Sequence, residues 1–206
     1  MALLKSRASD LHRARAAALV VAAAALLLAG CGSGAEGGET TTTTSPTQTE
    51  TSGGIDALDG ASTAPVIWAE ASTEIALLTD VRVARHEGYD RVVFEFRHDV
   101  PGYDIRYVEP PVQADGSGAE VAVAGNAILR VRMDPALDAD LTQEDAPLTY
   151  TGPMRFHPGT PEVVELVRTG GFESVLTWAI GLNDRVDFRV GRLQNPPRLV
   201  IDIRNH

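Results

Sequence analysis

A chain of 206 residues with 18 Lys and Arg against 28 Asp and Glu carries a formal net charge of −10. That sign argues against nucleic acid, or an anionic lipid surface, as a partner drawn in by charge. The single cysteine, Cys31, excludes an internal disulfide framework, and the length admits one ordinary domain besides leader segments.

Residues 1–30 have the layout of an export signal, with Lys5, Arg7, Arg13 and Arg15 ahead of an uncharged apolar run over 16–30. The run is shorter than the roughly twenty residues a lasting transmembrane helix needs. Its end, Leu28-Ala29-Gly30-Cys31, resembles the bacterial lipoprotein cleavage box, in which small residues fit the peptidase and the cysteine sulfur takes a diacylglyceryl group. The resemblance implies a mature chain that starts at Cys31 and is held on the extracytoplasmic face of the cell membrane. Two acyl chains at about 0.8 kcal/mol per buried methylene suffice for stable anchoring. An ordinary signal peptide beside a coincidental cysteine is the competing reading. Loss of the leader removes four bases and one acid, Asp10, leaving 14 bases against 27 acids and a net of −13.

Residues 31–64 are rich in Gly, Ser and Thr, with Thr40 to Thr44 in a row and few large apolar groups. Such a stretch cannot bury enough surface to fold and reads as a disordered tether. A flexible coil of that length spans about 30 Å.

From residue 65 to 206 the chain is a series of short alternating segments. In Arg91-Val92-Val93-Phe94-Glu95-Phe96-Arg97, Val92, Phe94 and Phe96 share one strand face and Glu95 and Arg97 the other. The same period of two recurs over 129–133, 186–190 and 199–204, and further strands are expected at 81–85, 103–108, 163–168 and 175–182. Clusters such as Val100-Pro101-Gly102 and Gln194-Asn195-Pro196-Pro197 separate them. Eight or so short strands predict an all-β fold, an antiparallel β-sandwich in a single domain, with at most one helical turn near 138–144. Acids and bases alternate on the outward faces, so cross-strand ion pairs account for the arginines. An arginine stripe gripping carboxylates is the sharper alternative and requires arginines without acidic neighbours.

The alternation breaks over 175–182, where both parities are apolar. Either the strand is buried on both faces or a loop covers it. The functional alternative sets Trp178, with Tyr103 and Tyr107, in a shallow groove where aromatic faces stack on sugar rings.

Reactive constellations are lacking in the sequence. His86, His98, His157 and His206 are scattered rather than spaced as metal ligands. Asp115-Gly116-Ser117-Gly118 lacks the flanking pattern of a nucleophile elbow and reads as a turn. The acidic stretch over 134–145 has Gln143 where a calcium loop starting at Asp138 requires glycine. No metal, cofactor or catalytic residue is assigned, and the expected protein is not an enzyme.

Taken in order, Tyr89-Asp90-Arg91-Val92-Val93-Phe94-Glu95-Phe96, Pro101-Gly102-Tyr103, Tyr107-Val108, Tyr150-Thr151-Gly152-Pro153, Gly171-Phe172-Glu173, Trp178 and Pro197-Arg198-Leu199-Val200-Ile201-Asp202-Ile203 resemble the AMIN-like domain of secreted lipoproteins from high-GC Gram-positive bacteria. The related AMIN domains are small β-sandwiches that target cell-wall amidases and secretin-type proteins to the envelope by holding peptidoglycan. The resemblance therefore implies a binding module for peptidoglycan or a wall-associated protein. No amidase or secretin segment follows before His206, so anchor, arm and module are the expected parts. The alternatives are an accessory subunit docking on an envelope enzyme or transporter without glycan affinity, and an uncatalogued hydrolase.

Overall fold

Alternating apolar residues on a pleated backbone need a second layer to cover them, and two sheets supply it here. The computed structural model describes residues 58–69 and 74–206. Among these, thirteen strands occur and no helix: β1 Val66–Trp68, β2 Ala76–His86, β3 Tyr89–Arg97, β4 Gly102–Val108, β5 Val112–Gln113, β6 Glu120–Val121, β7 Ala127–Asp134, β8 Ala136–Leu137, β9 Arg155–Phe156, β10 Val163–Phe172, β11 Val175–Leu182, β12 Phe188–Leu193 and β13 Arg198–Arg204. One sheet runs β1-β4-β7-β11-β10-β9, the other β12-β13-β3-β2-β8, and β5-β6 forms a separate small hairpin. All pairings are antiparallel except β2 with β8. The expected all-β, single-domain fold is the one observed. The helical turn expected near 138–144 is instead a run of non-helical turns, because the Asp140 carboxylate accepts the Thr142 amide and hydroxyl and the Gln143 side-chain amide. Such local bonds compete with helix formation.

The core follows the alternation. Val92, Phe94 and Phe96 of β3 and Leu199, Ile201 and Ile203 of β13 face Ile105 of β4, Leu129, Val131 and Met133 of β7, and Leu176, Trp178 and Ile180 of β11, all buried. Trp178 is 0 % exposed. Its ring meets Phe94 at 6.0 Å and Tyr150 at 5.8 Å, both edge-on. Such tilted pairs contribute about 0.5–1.5 kcal/mol beyond area burial.

Residues ahead of 65 also pack on the sandwich. Leu58 is buried, and Ser62 exchanges two backbone hydrogen bonds with Phe188, at 3.1 and 3.0 Å, before the chain crosses to the other sheet as β1. The guanidinium of Arg192 on β12 lies 3.7 Å from the centroid of the Trp68 ring on β1. Residues 58–64, expected to belong to the tether, thus strap one side of the sandwich. Buried leucine and paired backbone outweigh their polar composition. The expected leader, Cys31 and the rest of the tether lie outside the described residues.

Candidate ligand-binding face

The outer face of the six-stranded sheet is built in cross-strand rows. One row is Gly170-Thr177-Arg132-Asp104-Ile67, each residue opposite the next. The row on one side pairs Phe172 with Val175 and Asp134 with Gly102. The row on the other side is Val167-Ala179-Arg130-Arg106. Period two sends these side chains outward while their strand neighbours Met133, Val131, Leu176 and Trp178 fill the core.

A flap covers part of this face. Residues 109–126, which include β5 and β6, fold back so that Val112, Val121 and Val123 pack on Ile128 and Ala179. This explains the doubly apolar segment: Ala179 and Gly181 face outward but lie under the flap. Two glycines let it approach. A β-carbon on Gly170 would overlap the Asp115 carboxylate, and one on Gly181 would overlap the Ala124 carbonyl oxygen. At the flap tip, Thr177 donates its hydroxyl to Asp115 Oδ2 at 2.5 Å, and the Asp115 amide donates to the Thr169 carbonyl at 3.0 Å. At its return, the Ala124 amide donates to buried Glu165 at 2.8 Å, and Arg155 bridges Glu165 and the Ala122 carbonyl.

Beside the flap three adjoining cavities form a shallow trough. The first, about 340 Å³, has Asp115, Arg130 and Thr177 in its lining. The second, about 370 Å³, is lined by Asp115, Arg132, Asp134, Phe172, Glu173 and Val175. The third, about 250 Å³, continues over Arg132, Asp134 and Asp104 to Ile67 and Trp68. Exposed apolar groups flank it, Phe172 at the second cavity, 57 % exposed, and Ile67 at the third, 61 % exposed. Its arginines are engaged, as is Arg106 beside it: Arg106 holds both Asp104 oxygens at 2.6 Å, Arg130 reaches Asp104 at 3.6 Å, and Arg132 reaches Asp134 at 2.9 Å. On the opposite sheet Asp202 is held bidentately by Arg91 and approached by Arg189 at 3.4 Å. The outward ion pairs expected from the sequence are therefore present. The arginine stripe without acidic neighbours is not what this face carries.

The three aromatic candidates fare differently. Trp178 is corrected: it points between the sheets, on the parity opposite to Thr177, and is closed to any ligand. Tyr107 also belongs to the interior side. Its hydroxyl donates to the Val186 carbonyl at 2.6 Å and accepts the Val186 amide at 3.1 Å, and Arg185 covers its ring at 4.6 Å. Burial pushes its phenol pKa up to about 12. Tyr103 is nearly buried against Trp68, with ring centroids 5.7 Å apart, and touches the trough only at its rim. The exposed aromatic on this face is Phe172. It went unassigned in the sequence although Gly171-Phe172-Glu173, flanked by two strands, marks a hairpin tip that exposes its residues.

Among the described residues no group of three or more His, Cys, Asp or Glu side chains is placed to hold a metal ion, and no serine is hydrogen-bonded to a histidine. Asp115, in the Asp-Gly-Ser-Gly turn, fastens the flap.

Residues 76–205 match the AMIN-like domain family, well over half of the chain. The chain belongs to that family. AMIN-like domains are generally associated with binding in the cell envelope, peptidoglycan included. No curated protein and no solved structure matches the chain. The matched span of this AMIN-like domain contains the flap and most of the trough. The strap and β1, with Ile67 and Trp68, precede it.

Proposed function

We propose that this AMIN-like domain is a non-catalytic module that holds peptidoglycan in the trough of its six-stranded sheet, and that a lipid on Cys31 keeps it at the extracytoplasmic face of the cell membrane. The trough carries the reading. It is an open, hydrogen-bonding channel with exposed apolar groups along it, the form expected of a site for an extended polymer rather than for an enclosed small molecule. The family's association with the envelope supports the location, and the Leu-Ala-Gly-Cys box at residues 28–31 supports the anchor.

The test is sedimentation of the leaderless chain, made soluble by Cys31→Ser, with purified peptidoglycan. The expected result is co-sedimentation with no release of soluble fragments over time. Protein left in the supernatant would overturn the binding reading, and sustained fragment release would overturn the non-catalytic one. A second reading, docking on an envelope protein, draws on an apolar groove of about 420 Å³ lined by Ile75, Leu77, Leu137 and Leu141, the last 62 % exposed. A supernatant result would favour it.

A further inference from the structure

We infer that the trough takes a neutral saccharide chain laid across the strands, with Phe172 as the platform for one sugar ring. This rests on reading the domain as an envelope-binding module and adds which chemical part of the polymer is held.

The first argument is shape. From β10 to β1 the trough crosses four strand spacings, about 19 Å at 4.8 Å each, and its cavities join through shared walls at Asp115, Arg132 and Asp134. A linear chain can follow such a course.

The second argument is charge. Arg106 and Arg132 already face Asp104 and Asp134. Two arginines line the trough, Arg130 and Arg132, with Arg106 beside them on β4, against five carboxylates, Asp104, Glu109, Asp115, Asp134 and Glu173. Among the described residues Glu173 has no hydrogen-bond or ionic partner. A phosphate polymer, or a peptide presenting carboxylates, would have to displace these internal partners and would face excess negative charge. Hydroxyl and acetamido groups both donate and accept, so they can use the remaining guanidinium N–H groups and carboxylate oxygens without breaking a pair.

The third argument is Phe172. It is held beside the Arg132 and Asp134 cavity by a two-residue turn, Glu173-Ser174, whose φ angles are +51° and +61°. Residues with side chains rarely adopt that backbone. Its Cγ lies 3.8 Å from where a β-carbon on Gly116 would be, so the ring rests at the flap tip. The C–H face of a pyranose matches the negative face of an aromatic ring.

The test uses the leaderless Cys31→Ser chain and a peptide-free N-acetylglucosamine tetramer as probe. The tetramer should shift the NMR signals of Phe172 and Thr177 at millimolar concentration and should displace the protein from peptidoglycan. Phe172→Ala, whose exposed side chain leaves folding intact by thermal melt, should weaken tetramer binding about 3- to 10-fold. Raising salt from roughly 0.05 to 0.5 M should not weaken it. Co-sedimentation with peptidoglycan but no response to the tetramer would overturn the saccharide assignment and leave the module reading standing. Affinity that falls steeply with salt, or is untouched by Phe172→Ala, would also overturn it. Binding to neither peptidoglycan nor tetramer would overturn both.

Discussion

Gly181→Ala tests how the flap is held. The new β-carbon would overlap the Ala124 carbonyl oxygen, a backbone atom that cannot rotate away, so the return of the flap must lift. What is lost follows from its attachments. The Ala124 amide bond to the Glu165 carboxylate contributes about 1.5 kcal/mol, being charge-assisted. Partial loss of the packing of Val112, Val121 and Val123 on Ile128 and Ala179 adds about 1–2 kcal/mol. The expected cost is therefore about 2–4 kcal/mol, concentrated in opening of residues 109–126. Gly170→Ala should cost less, about 1 kcal/mol, because the Asp115 side chain can swing away and forfeit mainly its bond from Thr177. Amide hydrogen exchange separates the two effects. In Gly181→Ala the flap amides should exchange roughly 30- to 1000-fold faster than in the parent, while core amides such as those of Val131 and Ile201 change far less. Unchanged flap protection in a folded Gly181→Ala protein would refute the reasoning, because the overlap would then have been absorbed without lifting the flap.

Glu162 is buried, its carboxylate accepts the Asp184 amide at 2.8 Å, and burial raises its pKa above the ordinary 4.5. A raised pKa means that the folded state binds the proton more tightly. This contribution is thus present below the ordinary value and lost as pH rises through the folded one. Glu162→Gln should accordingly melt higher than the parent at pH near 7, a difference that vanishes near pH 4; equal melting at both would refute the assignment. Removing residues 58–64 should destabilise the domain by about 2–4 kcal/mol, from the burial of Leu58 and the two Ser62–Phe188 bonds. Comparison of 58–206 with 65–206 by denaturant titration checks this, and equal midpoints would mean the strap contributes nothing. Cys31→Ser should abolish lipid labelling and membrane partition of the full chain in cell fractionation; retention in the membrane fraction, trimmed at the same residue, would refute the anchor.

Most of the sandwich was legible in the residues because burial on one strand face imposes a period of two. Val92, Phe94 and Phe96 or Leu199, Ile201 and Ile203 can satisfy that period in only one orientation. The short pieces were not legible: β1, β5, β6, β8 and β9 have two or three residues each, too few for a period to emerge. Their pairing comes from neighbours distant in sequence, as when Val66–Trp68 finds β4.

The candidate site divides in the same way. Local patterns alone determined that the outward arginines would stand among acids, that Asp115-Gly116-Ser117-Gly118 would turn, and that residues 175–182 would be apolar on both faces. Which parity of that last segment faces the core was decided only in three dimensions. Trp178 and Ala179 are both apolar, and the choice rests on a flap fifty to seventy residues upstream that hides Ala179 and Gly181 under three valines. That choice sends Trp178 inward against Phe94 and Tyr150. Phe172, one register row beyond Thr177, is left exposed because it meets only the tip of the flap, at Gly116. Apolar periodicity records how many faces of a strand are buried; what buries each face, and which aromatic ring stays in water, depends on the long-range packing of separate segments.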